Sequence, residues 1–66
     1  MKNKIKIERA RHNLTQQDLA EKIGVSRQTI NAMESNKYVP STVLALKIAG
    51  LFQLTVEELF QLDEND

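Results

Sequence analysis

The sequence predicts an all-α domain of five short helices. Three observations carry that prediction. Residues suited to capping a helix recur along the chain, at Asn3, Thr15, Ser26, Ser41 and Thr55. Between them the apolar residues follow the three-to-four spacing of a helix face. Strand signals are poor throughout, so no sheet of substance is expected.

Asn3 starts a first helix that runs to about His12, with Ile7, Ala10 and Leu14 as its inner stripe and Ile5 beside it. Asn13 ends it, because Asn tolerates the left-handed backbone found just past a helix. Thr15 is the next N-cap, its hydroxyl placed to accept the N–H of Asp18, and Asp18 adds negative charge to the first turn. The second helix runs from Gln16 to about Ile23, with Leu19, Ala20 and Ile23 inward. Gly24 supplies the positive φ of a sharp turn. Val25 covers the turn, and Ser26 caps a third helix that runs to about Glu34 with Ile30 and Met33 inward. Ser35 to Tyr38 form a polar loop. Pro40 blocks helix and Ser41 restarts it. The fourth helix ends at Gly50 or soon after. It is apolar on nearly every side except Lys47, which predicts the central, most buried helix. Thr55 and Glu58 form a capping box for a fifth helix with Val56, Leu59 and Phe60 on its apolar face. An acidic tail from Asp63 to Asp66 follows Leu62.

At 66 residues the chain is one domain, residues 1–66, near the lower limit for folding around a single core. It has no Cys and one His, so disulfides, a thiolate metal site and a zinc cluster are not expected, nor is any cofactor. No apolar run would cross a membrane, and the basic start lacks the apolar stretch of a signal peptide; a cytoplasmic protein is expected. There is no nucleophile–base pair, metal-ligand cluster or phosphate-binding glycine loop, so no enzyme is expected.

Net charge is zero, but it is unevenly spread. Residues 1–37 carry eight Lys/Arg against four acids, and residues 38–66 carry Lys47 against five acids. One half can therefore face phosphates while the other faces away. Taken alone, the same asymmetry is compatible with ordinary surface charge.

The stretch Gln16–Ser35 has the logic of a braced helix pair. Ala20 lies where the two helices come close, Gly24 turns the chain, and Leu19, Ile23, Val25 and Ile30 bury the inner surfaces. Ser26, Arg27, Gln28, Thr29, Asn31 and Ala32 remain for the outer side. Arg can pair bidentately with guanine, and Gln or Asn with adenine. Here the text LTQQDLAEKIGVSRQTINAMES from Leu14, followed by NKYVPS and LALKIA, strongly resembles the Cro/repressor-type (XRE-like) helix-turn-helix family, over roughly Lys4 to Leu62.

The resemblance implies a repressor-like five-helix domain that binds double-stranded DNA. Gln16 would open the second helix on a phosphate and Gln17 would add a backbone contact. Ser26, Arg27 and Gln28 would begin the recognition helix and touch bases. Asn31 and Ala32 would lie one turn further on, and Asn36, Lys37 and Tyr38 would clasp the sugar-phosphate backbone. Arg9 and Glu34 match a pair that often bridges the first helix to the end of the third. Glu8 departs from the family pattern, which often has an aliphatic residue there. For Asn31 a DNA contact and a plain surface role are equally compatible with the residues. Tyr38 can pack over the fourth helix or bond a phosphate. Lys2, Lys4 and Lys6 can form a basic arm or remain solvated.

The leading expectation is a sequence-specific transcriptional regulator, acting as a repressor. The apolar segment 51–62, with Phe60 and Leu62 prominent, would make it a homodimer on an inverted repeat. Two alternatives stay open: the antitoxin half of a toxin–antitoxin pair holding a protein partner, and a protein-interaction module without DNA binding.

Overall fold

The computed structural model describes all 66 residues. Two strands of two residues each frame five helices: β1 (Lys2–Asn3), α1 (Ile5–Arg11), α2 (Gln16–Ile23), α3 (Arg27–Glu34), α4 (Thr42–Leu51), α5 (Val56–Leu59) and β2 (Phe60–Gln61). The helices begin largely where the hydroxyl caps predict. Ser26 accepts the N–H of Thr29 and Ser41 that of Leu44, while Thr15 with Asp18 and Thr55 with Glu58 form complete capping boxes.

The helix ends share one device. At α1, the N–H of Leu14 reaches the carbonyl of Arg9 and that of Asn13 the carbonyl of Ala10, with Asn13 at φ 54. At α3, Lys37 reaches Ala32 and Asn36 reaches Met33, with Asn36 at φ 60. At α4, Leu54 reaches Ala49 and Gln53 reaches Gly50, with Gln53 at φ 57. These are Schellman closures, which satisfy the last carbonyls of a helix through one left-handed residue. Gly24, at φ 78, does the same for α2. A Cβ on Gly24 would meet nothing within 4 Å, so the demand for glycine there is conformational and not spatial.

Eleven buried apolar residues form one core drawn from every helix: Ile5 from α1, Leu19, Ala20 and Ile23 from α2, Ile30 and Met33 from α3, Ile48 and Ala49 from α4, and Leu59 from α5, with Phe52 and Phe60 beside them. The α2–α3 pair is in the most extensive contact of any two elements, with Ala20 fully buried within it.

Three expectations are corrected, and of the two alternatives open for Lys2, Lys4 and Lys6 the exposed side chains fit the solvated one. Ile7 and Ala10 of α1 are exposed, and the inner face is instead Ile5 with Glu8. The two residues are three apart, so they share a face that the polar Glu8 disguises in the sequence. The Glu8 carboxylate accepts a hydrogen bond from Arg11 Nη1 at 3.0 Å, so its burial leaves no unpaired charge. Helix α4 is not the most buried: Val43 and Leu46 are exposed, and only Ile48 and Ala49 are fully covered. Helix α5 is a single turn, because Phe60 turns to extended backbone at φ −122 and ψ 137 and enters β2. Lys2 and Lys4 are not a free arm. Lys2 pairs with Gln61 across an antiparallel ribbon, and the N–H of Lys4 donates to the carbonyl of Leu59 at 2.9 Å. His12 is exposed, yet its ring lies 5.0 Å from that of Phe52.

Candidate nucleic-acid interface

The inner side of α3 is sealed by Ile30 and Met33. Arg27, Gln28 and Asn31 are exposed on its other side, with Thr29 and Ala32 half-buried. An eight-residue helix with one fully buried face and one polar, uncovered face can enter a groove without losing core contacts. Ser26 stands at the start of α3. Its Oγ accepts the Thr29 N–H at 3.2 Å and lies 3.0 Å from Thr29 Oγ1, so capping already engages it.

Arg27 converges with the start of α2. Its side chain lines one open polar hollow with Asn13, Thr15, Gln16 and Gln17. The backbone N–H groups of Gln16 and Gln17 find no acceptor within the chain, whereas those of Thr15 and Asp18 are used by the capping box. This end of α2 therefore offers free donors beside an Arg. The Asp18 carboxyl sits below its ordinary range, because the Thr15 backbone N–H donates to it and the Thr15 hydroxyl adds to the effect. Gln17 is exposed, its amide 3.4 Å from Glu21 Oε1.

The predicted Arg9–Glu34 pair is present and forked. Arg9 Nε donates to Glu34 Oε2 at 2.9 Å and Nη2 to Oε1 at 3.3 Å, while Nη1 donates to the carbonyl of Leu14 at 2.9 Å. The same carboxylate accepts Gln16 Nε2 at 3.0 Å, and that nitrogen lies 3.4 Å from Asn31 Oδ1. One buried acid thus ties α1, α2 and α3 together. Bidentate Arg–carboxylate pairs fix orientation as well as proximity, so the pose of α3 is set from beneath.

The far end of α3 is held by a residue that sequence reading used only as a cap. Asn3 Nδ2 donates to the carbonyl of Met33 at 2.9 Å and to Asn36 Oδ1 at 3.2 Å, and its Oδ1 accepts the N–H of Ile5 at 3.1 Å. The N-cap position of α1 is Lys4, which has no side-chain cap bond, so Asn3, one residue earlier, serves the first N–H of the helix and clamps the loop after α3 in one stroke. No local pattern announces this, because its partners lie 30 and 33 residues away. Asn36, Lys37 and Tyr38 are all exposed in that loop. Tyr38 shares a shallow hollow with Gln28, Ala32 and Leu44, which places it between the outer side of α3 and α4.

Fold and surface together define a helix-turn-helix DNA-binding domain. The helix-turn-helix family matches the chain over residues 5–59. An uncharacterised helix-turn-helix-type transcriptional regulator of Methanocaldococcus jannaschii is 56% identical over 66 residues, covering all of both chains. YgzD of Bacillus subtilis, likewise an uncharacterised regulator of this type, is 48% identical over the full length of both. A third such regulator, from Archaeoglobus fulgidus, is 46% identical, covering all of this chain and 93% of the relative. The chain belongs to the Cro/repressor-type (XRE-like) helix-turn-helix family of transcriptional regulators. No helix is long and apolar enough to cross a membrane.

Proposed function

We propose that this regulator is a sequence-specific repressor that binds double-stranded DNA as a homodimer on an inverted repeat. The observation that carries the reading is the exposure of Arg27 and Gln28 on the outer side of a helix whose inner side is sealed in the core. Helix α3 lies in the major groove with Arg27 and Gln28 on base edges, each good bidentate pair contributing about 1–3 kcal/mol of discrimination. Ser26 and Asn31 flank them. The free N–H groups of Gln16 and Gln17 take one phosphate. Asn36, Lys37 and Tyr38 take the sugar-phosphate backbone on the other side of α3. Occupying a promoter suffices for repression.

For the dimer face we favour a surface that extends beyond the segment 51–62 read in the sequence. Phe52 and Phe60 are buried in the monomer core, so Leu62 is the one exposed large apolar residue of segment 51–62. The larger uncovered patch is Val39, Val43 and Leu46, on and just before α4, next to a shallow apolar groove that Met1, Val56 and Phe60 also line. A contiguous apolar face of this kind marks a partner surface. The domain is 31 Å in its longest dimension. Reading two half-sites of an inverted repeat requires equivalent α3 helices about one DNA turn, roughly 34 Å, apart.

Selection from random duplex DNA tests the reading. An enriched inverted repeat is the expected result; no enrichment at low salt removes it.

A further inference from the structure

The outer side of α3 is polar except at one shallow hollow. From it we propose that the domain reads the C5-methyl group of one thymine per half-site, held between Ala32 and Tyr38. This rests on the reading that α3 lies in the major groove.

Ala32 is the one apolar residue of α3 besides the buried Ile30 and Met33. It stands one turn after Gln28, and residues four apart share a helix face. Beside the two lies a hollow lined by Val25, Gln28, Thr29, Ala32, Tyr38 and Leu44, four of them apolar. Val25 and Leu44 are half-buried and pack against the core, so this part of the lining is in place before anything binds. Tyr38 lines it from the loop after α3. The Schellman closure carries the chain back there: the N–H of Lys37 donates to the carbonyl of Ala32 at 2.9 Å, and Tyr38 follows directly. Tyr38 is 44% exposed, so it borders the hollow without being sealed into the core.

The edge of a base pair in the major groove offers donors, acceptors and one apolar group, the thymine C5-methyl. Against a donor or acceptor, the side chains of Val25, Ala32 and Leu44 would displace water and return no hydrogen bond. Against the methyl, apolar surface is buried on both sides. An A·T pair also carries its methyl on the same edge as the adenine N6 and N7 that suit Gln28. Gln28 thus reads by hydrogen bonds, and the hollow beside it reads by shape. A Tyr38 ring in this position leaves its hydroxyl for the sugar-phosphate backbone.

The experiment uses the duplex that the wild-type protein selects. Each thymine is replaced in turn by deoxyuridine, which lacks the methyl and keeps every hydrogen-bonding group. Fluorescence anisotropy follows binding. At one thymine per half-site, affinity is expected to fall about fourfold, the worth of one buried methyl group. Tyr38→Ala and Ala32→Gly each remove one wall of the hollow. In both, the ratio of thymine to deoxyuridine affinity at that position is expected to fall toward unity. The ratio is taken within each protein, so the stability lost through a helical glycine bears on both duplexes alike. Circular dichroism confirms that the variants fold, and Tyr38 lies outside the core. The methyl assignment is overturned if no deoxyuridine weakens wild type, or if the selected half-sites hold no thymine. It is equally overturned if either variant keeps the wild-type ratio. If the wild-type protein selects no duplex at all, the regulator reading itself fails, a different result from a selected duplex that is indifferent to deoxyuridine.

Discussion

Removing Arg9 is the most searching perturbation of this domain. The Arg9 and Glu34 side chains are 16% and 6% exposed, so the pair is shielded from water on both sides. Arg9→Met keeps much of the apolar stem but leaves the Glu34 carboxylate with Gln16 alone, and leaves the carbonyl of Leu14 without Nη1. Breaking a buried pair from one side costs about 3–5 kcal/mol, because the remaining charge stays desolvated. A chain of this length has only about 3–10 kcal/mol of stability in total. At about 4–8 °C per kcal/mol, Tm falls by more than 10 °C. The double variant Arg9→Met/Glu34→Leu removes the orphan charge together with its partner and regains most of that stability. It does not regain DNA affinity, because Gln16 has lost the acceptor that orients it. Thermal and urea unfolding followed by circular dichroism, with fluorescence anisotropy on the selected duplex, measure both effects. If Arg9→Met unfolds within about 1 kcal/mol of wild type, a value proper to exposed pairs, the ion pair is not the brace described here.

Further expectations concern single parts of the molecule. Gly24→Ala costs about 1–2 kcal/mol in urea unfolding through its left-handed backbone alone, and Gly24→Asn costs less. Both capping-box acids, Asp18 and Glu58, have folded pKa values below their ordinary 3.8 and 4.5, chiefly because the backbone N–H of Thr15 and of Thr55 donates to the ionised form. Their contribution is therefore complete above those ordinary values and fades as pH falls through the lower folded ones. Asp18→Asn with Glu58→Gln should flatten the acid side of a stability–pH curve. Lys37→Ala is expected to weaken binding to all sequences alike and to lower the slope of log K against log salt by about 0.9. Arg27→Ala instead relaxes preference at one base pair per half-site, read by repeating the selection. Leu46→Lys sets a charge in the apolar patch; sedimentation should show a monomer where wild type shows a dimer, with Tm little changed because Leu46 is exposed.

The sequence by itself determined where most helices start and stop, because those signals are local. A hydroxyl that accepts an N–H three residues on, or an Asn that adopts a left-handed turn, acts within one stretch of chain. Thr15, Ser26, Ser41 and Thr55 show this, as do Asn13 and Gly24. The exposed character of Arg27 and Gln28 was legible for the same reason, since Ile30 and Met33 fix the inner side of so short a helix. Tertiary structure alone decided what local patterns do not encode. It buried Glu8 where a stripe through Ile7 and Ala10 looked more plausible, and it left Val43 and Leu46 uncovered on an apolar helix. It also paired Lys2 and Asn3 with Gln61 and Phe60, two-residue strands too short to show an alternation. Most consequentially, it joined Asn3 to Asn36 and Gln16 to Asn31. Those contacts cross between elements distant in the chain, so no local pattern encodes them.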